Sequence, residues 1–464
     1  MSSQLHLPLD QQARSRVNLW QELWHLLKLA SPIVLSELGW MTMGIVDLIM
    51  VGKLSPVAIG AVGLGNAIYY GPSLFGIGLL LGLDTLIAQA WGRRDFDECH
   101  RWLAQGVYLA VAATVPLMLL VMGGALLFTG HGVNAQVSSL TRSFLVYLNL
   151  STLPLLVYGA FRRYLQSVGR VRPISFALIS ANLVNWALNW ALIYGHLGLP
   201  ALGVRGSAIS TCFARVYMAA VLVYAAWLHE KGRGHALFAH WPRFDLRRLR
   251  MLCALGLPAG TQVVLEVAGF GAATIMASHL DPISLATHEI VLNCAAYTYM
   301  VPLGISAAAA VAVGHAVGGG DRPRAGRAGY LAIALGAGFM ACMACTFLLF
   351  PKQILSLWTH DAQVIALGEH ILLLVAAFQI FDGIQSVTTG ALRGMGETRY
   401  PMWMNLGAYW VFGLPLGAVL CFGLHWQLTG LWTGLTAALI LLAIALLLRW
   451  RSDLRREAAI IPAV

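Results

Sequence analysis

The chain has 464 residues, of which 58% are hydrophobic and 11% charged, with a formal net charge of +10. Soluble domains carry roughly 25% charged residues, so this composition excludes a soluble globular protein and leaves no stretch for a separate soluble domain. Seven scattered cysteines imply no disulfide framework, and the pair Cys342 and Cys345 falls short of the four ligands of a structural zinc site.

The chain opens on a polar segment, Met1–Arg16, with no short apolar core and cleavage site behind it, so it reads as retained rather than as a removed signal. Beyond it come apolar stretches of the roughly 20 residues that cross a bilayer. They predict an all-α integral membrane protein with spans near 24–51, 58–90, 102–128, 142–165, 174–195, 206–229, 250–279, 284–316, 328–350, 364–391, 402–423 and 428–450. The expected organisation is a terminal segment 1–23, a six-span lobe 24–229, a linker 230–249, a second six-span lobe 250–450 and a tail 451–464. Between these spans and at their ends, 25 lysines and arginines fall on the side of the termini and 4 on the other, with Arg215 within a span. By the positive-inside rule both termini are then cytoplasmic and the number of spans is even. The basicity is topological and argues against a nucleic-acid partner.

The chain also repeats itself. At an offset of 226 residues Leu29 and Pro32 meet Leu255 and Pro258, and Ala90, Gly92, Asp95 and Arg101 meet Ala316, Gly318, Asp321 and Arg327. At 227, Leu165, Gly169, Arg172 and Gly203 meet Leu392, Gly396, Arg399 and Gly430. Charged and turn residues recur as well as apolar ones, which indicates duplication. Two halves with an even number of spans each run in the same sense, related by a pseudo-two-fold axis along the membrane normal.

Ionisable side chains at bilayer depth are costly, so the few present mark candidate sites. They are Glu37 and Asp47 in span 1, Asp84 in span 2, Glu266 in span 7, Glu289 in span 8 and Asp382 in span 10. Helical spacing puts Gln262 on the face of Glu266, and Gln385, Ser386 and Thr389 on that of Asp382. Glu289, Asn293 and Tyr297 form a stripe in span 8, and Asn182, Asn185 and Asn189 another in span 5. Such stripes face a cavity or one another, because hydrocarbon cannot satisfy them. Two close carboxylates hold a proton or a Na⁺ together and release it when an organic cation displaces it, which is the minimal chemistry of antiport. Hydrogen-bonding glue between helices is the competing reading for the asparagines.

Five stretches together resemble the multidrug and toxic compound extrusion (MATE) transporters. They are Pro32–Gly52 (PIVLSELGWMTMGIVDLIMVG), Leu83–Asp95 (LDTLIAQAWGRRD), Leu197–Gly206 (LGLPALGVRG), Ala286–Gly320 and Phe378–Tyr400 (FQIFDGIQSVTTGALRGMGETRY). The resemblance implies two six-helix lobes in a V and antiport of cationic or amphipathic drugs against H⁺ or Na⁺. Glu266, Asp382 and Asp47 are similar to the family's coupling acids. Two departures stand out: Asn189 where the family often has aspartate, and Phe378 where some Na⁺-coupled members carry tyrosine, which favours H⁺. The resulting expectation is a monomeric carrier of the inner membrane in contact with lipid, with no enzymatic activity, no cofactor and no metal except Na⁺ at Glu266 and Asp382. The alternatives are a lipid-linked sugar flippase, disfavoured because Arg215 is the one intramembrane arginine, and a polytopic membrane enzyme, disfavoured because no histidine–carboxylate set has ligand spacing.

Overall fold

The computed structural model of the chain describes residues 19–129, 134–232 and 241–458. The expectation for the polar start, and the middle of the linker, lie outside the described residues. Among the described residues eleven helices are long and apolar enough to cross a membrane, and a bent pair, taken as one span, is a twelfth. In chain order they are α1 (Leu19–Gly52), α2 (Pro56–Gly92), α3 (Phe96–Thr129), α4 (Ala135–Asn149 with Thr152–Ser167), α5 (Arg172–Tyr194) and α6 (Val204–Lys231). The second half comprises α7 (Leu246–Ser278), α8 (Pro282–Gly318), α9 (Arg322–Leu349), α10 (Ala362–Met395), α11 (Arg399–Gly423) and α12 (Gln427–Ala458). Helix α1 thus starts before residue 24 and α12 continues past 450.

Local chemistry sets these boundaries. Ser55, Asp281 and Asp361 each accept a backbone N–H of the helix they precede, and proline takes the first helical position of α2 and α8, where no N–H is needed. Gly169 and Gly396, repeat mates at offset 227, follow α4 and α10 with φ of +76° and +94°, a conformation that side chains resist. Three helices deviate from regularity. α2 breaks at Leu80 and Leu81, α4 bends by 44° at Leu150 and Ser151, and α11 widens so that Leu414 N–H reaches back five residues to the Tyr409 carbonyl.

The lobes meet along α1, α2, α7 and α8, and their contacts obey the repeat. A Cβ on Gly78 would lie 2.5 Å from Gly260 Cα, and one on Gly304 would lie 2.8 Å from Val34 N; Gly78 and Gly304 are repeat mates, as are Val34 and Gly260. Lower down, a Cβ on Gly92 would come within 2.2 Å of the His315 carbonyl oxygen, and one on Gly318 within 2.0 Å of that of Gln89, again a mated set. Hydrogen bonds follow suit: Gln89 Nε2 donates to the Gly394 carbonyl at 3.1 Å, while His315 Nε2 meets that of Ser167 at 2.6 Å. Backbones this close are possible only where no side chain intervenes.

Among the described residues, the hydrogen bonds and ion pairs seen to join the lobes lie in the half nearer the basic face. Besides those above they include Thr85 to the Arg393 carbonyl, Arg393 to Asp84, Arg327 to Glu22, Arg248 to Glu98, and the linker's Pro242, Arg243 and Asp245 with Tyr108 and Gln105. The two bundles are clamped together at that face.

Candidate cation-coupling site

In the C-terminal lobe, Glu266 near the middle of α7 and Asp382 in α10 converge on one side chain. Gln385 Nε2 donates to Glu266 Oε1 and to Asp382 Oδ1, at 3.2 Å each. Tyr299 of α8 donates its hydroxyl to Glu266 at 3.3 Å. Asp382 and Gln385 are buried, and among the described residues neither carboxylate has a basic partner. The widened turn of α11 lies alongside: Trp410 Nε1 donates to the Leu265 carbonyl at 3.1 Å, and the hydroxyl of buried Tyr409 has no hydrogen-bond partner among the described residues. Two carboxylates bridged by one neutral amide leave a charge that a cation has to balance.

The N-terminal lobe holds a different arrangement. Asp47, in the third of α1 farther from the basic face, accepts from Asn185 and Asn189 at 2.6 Å each and from Thr211 at 3.1 Å. One turn beyond Thr211 on α6 comes Arg215, which is buried too. Its Nη1 donates at 2.6 Å to both the Tyr69 hydroxyl and Ser151 at the bend of α4, and its guanidinium lies 4.9 Å over the Tyr69 ring. This cluster therefore holds one acid and one base, the base stacked on an aromatic ring.

A third cluster occupies the lobe interface. Asp84, fully buried after the break in α2, has Arg163 of α4 at 3.3 Å and Arg393 of α10 at 3.6 Å, so one carboxylate is shared between the lobes. Arg162 pairs with Glu37 beside it.

These placements revise several readings. Arg162, Arg163 and Arg393, counted above with the loops, are buried in helices and ion-paired, so Arg215 is not the one arginine at depth; the burial is possible because Glu37 and Asp84 supply the counter-charges. Glu37 is consequently part of an ion pair and not of the acid cluster. Among the described residues Glu289, Asn293 and Tyr297 make no hydrogen bond to that cluster: Asn293 donates to the backbone carbonyl of Glu289, and Tyr297 packs on Trp358 at 6.1 Å. Gln262 is buried one turn from Glu266 without bonding to it, and Asn182 donates to the Gly39 carbonyl. Phe378 sits in an aromatic core with Phe270 and Trp432, away from the acids' hydrogen bonds.

Sequence reading missed Tyr299, which lies off the four-residue stripe through Tyr297, and Thr211. Thr211 did carry a signal, one turn before an arginine at bilayer depth.

The MatE family model matches the chain twice, over residues 32–191 and 258–419, and the two matches start 226 residues apart, the offset read from the sequence. The chain belongs to the MATE family. "Probable multidrug resistance protein NorM" of Mesorhizobium japonicum is 35% identical over 457 residues, covering 97% of each chain. "Multidrug resistance protein NorM" of Aliivibrio fischeri is 29% identical over 94% of this chain and 96% of that one. The fold is that of the eukaryotic MATE transporter AtDTX14 (TM-score 0.83, 20% identity, 94% and 98% coverage) and of a MATE transporter described as outward-facing (TM-score 0.83, 19% identity, 94% and 96% coverage). The chain is thus a multi-pass membrane protein of a transporter family, with two MATE halves.

Proposed function

We propose that this chain is a multidrug efflux antiporter of the inner membrane, with its basic face and both termini in the cytoplasm, exporting cationic or amphipathic drugs against H⁺ or Na⁺. The observation that carries this reading is the Glu266–Gln385–Asp382 constellation, a pair of carboxylates with no basic partner. Such a pair takes up a cation from one side and yields it to a competing organic cation. The relatives' names, as multidrug resistance proteins, support the substrate class.

Transport on this reading proceeds by rocking of the two lobes about their mated helices. The clamped basic face is the inner gate. Opening it separates Arg393 from Asp84, while Arg163, in the same lobe as Asp84, remains as its partner. The shared carboxylate is then never left alone in a low dielectric, where breaking a buried pair costs roughly 3–5 kcal/mol.

The test is purified protein in liposomes, with pH and Na⁺ gradients imposed separately and a fluorescent organic cation followed. Gradient-driven transport that disappears in both Glu266→Gln and Asp382→Asn is the expected result. Normal transport by Asp382→Asn would remove the coupling assignment, and no response to either gradient in the wild type would remove antiport.

A further inference from the structure

At the basic face, away from the acid pair, Tyr330 of α9 stands between two apolar clefts. One, of about 450 Å³, is walled by α9 and by Leu19 at the start of α1, and so spans the seam between the lobes. The other, of about 490 Å³, is walled by Ile444, Leu447 and Leu448 of α12. Tyr330 is held between them by Trp450, whose ring is 6.2 Å away and itself lies in a notch made by Gly329. Each cleft has one arginine in its lining, Arg327 in the first and Arg451 in the second. Arg327 is half committed to Glu22 across the lobe seam at 3.4 Å. The neighbouring Arg449 is engaged by Glu397 and Asp453, but among the described residues Arg451 is exposed and has no carboxylate partner.

We propose that this is a binding site for one anionic phospholipid, its two acyl chains in the clefts on either side of Tyr330 and its phosphate on Arg451 and Arg327. The geometry fits the chemistry of such a lipid. Two apolar clefts share Tyr330, each has an arginine in its lining, an aromatic pair stands beside them, and the uncompensated charge there is positive. Because one cleft is lined by Leu19 of one lobe and by Arg327 of the other, which bonds to Glu22 across the seam, a lipid seated there touches both lobes and favours the clamped basic face.

The experiment uses the purified full chain in mild detergent, with retained lipid read by native mass spectrometry. The probes are dioleoylphosphatidylglycerol, dioleoylphosphatidylcholine and glycerol 3-phosphate. The wild type is expected to retain the phosphatidylglycerol preferentially, with no competition from glycerol 3-phosphate. Arg451→Gln should weaken retention about fivefold, the worth of one basic residue at an anionic surface. Leu447→Trp, which fills one cleft, should lower retention while leaving Arg451 in place. Equal retention of the two lipids, displacement by glycerol 3-phosphate, or unchanged retention in either variant would overturn the site.

Discussion

The two lobes share a backbone plan and have exchanged their electrostatics. Repeat arithmetic pairs Glu266 with Trp40 and Gln385 with Tyr158. Where the C-terminal lobe has a carboxylate hydrogen-bonded to an amide, the N-terminal lobe has two stacked rings, 6.4 Å apart and 15° from parallel. Conversely, Arg215, Tyr69 and Ser151 correspond to Leu442, Ala295 and Phe378, so a bound guanidinium in one lobe is apolar core in the other. At the interface Arg393 corresponds to Gln166, whose buried amide atoms have no hydrogen-bond partners. Duplication preserved the contacts that need close backbones, the glycines and their carbonyl partners. The positions lining each lobe's interior diverged, because a change of charge there leaves the scaffold intact.

Variants can break or sharpen this contrast. The largest effect is expected at the acid pair. Glu266→Gln and Asp382→Asn should each abolish gradient-driven transport in liposomes, while Trp40→Gln, the corresponding change in the other lobe, should leave ion dependence intact; equal loss in both lobes would erase the asymmetry. Next comes Arg215→Met, which removes two hydrogen bonds and the charge that balances Asp47. Leaving Asp47 alone should lower stability by about 3–5 kcal/mol, read as a fall in thermal midpoint in detergent, and the double variant Asp47→Asn with Arg215→Met should recover part of it.

A smaller effect is expected at the symmetric clamp. Gly318→Ala places a methyl group against the Gln89 carbonyl and should bias the lobes apart at the basic face by about 1–3 kcal/mol. Gly92→Ala should do the same by its mated contact. Spin labels across that face would show both variants broadening the distance distribution. If one variant opens the face and its mate does not, the contacts are less symmetric in energy than in geometry.

The smallest effect belongs to Asp281, outside the spans at the start of α8. The Ser284 hydroxyl, followed by backbone N–H donors, holds its carboxyl below the usual carboxylate range. Its folded value is depressed, so its stabilisation is complete above the unfolded value near 3.9 and fades as the pH falls through the folded value. Asp281→Ala should cost about 1 kcal/mol at neutral pH, measured as a lower midpoint of unfolding, with the difference from wild type vanishing in acid.

Much of this was legible in the sequence. Apolar length gave the spans, charge asymmetry gave their alternation, and the offsets at Gly92, Gly318, Gly169 and Gly396 were already those of the contacts and turns. Helical spacing placed Gln385 with Asp382, and the resemblance joined Glu266 to Asp382; Asn185 and Asn189 were read as one stripe, but their meeting with Asp47 was not. What did not follow were pairings between helices distant in the chain. Arg162, Arg163 and Arg393 look like loop charges until Glu37 and Asp84 are seen to meet them. The stripe through Glu289, Asn293 and Tyr297 has helical periodicity without its face being fixed by it, since periodicity along one helix does not say which neighbour it meets. Tyr299, two residues from that stripe, is the one that reaches Glu266.

The most direct test of the lobe asymmetry is the release of the coupling ion on binding of an organic cation, followed in detergent with a pH dye and a Na⁺ indicator. On the proposed reading the wild type and Asp47→Asn release an ion when the cation is added, and Glu266→Gln and Asp382→Asn do not. Release that survives in Glu266→Gln and is lost in Asp47→Asn would contradict the account and place the ion site in the N-terminal lobe.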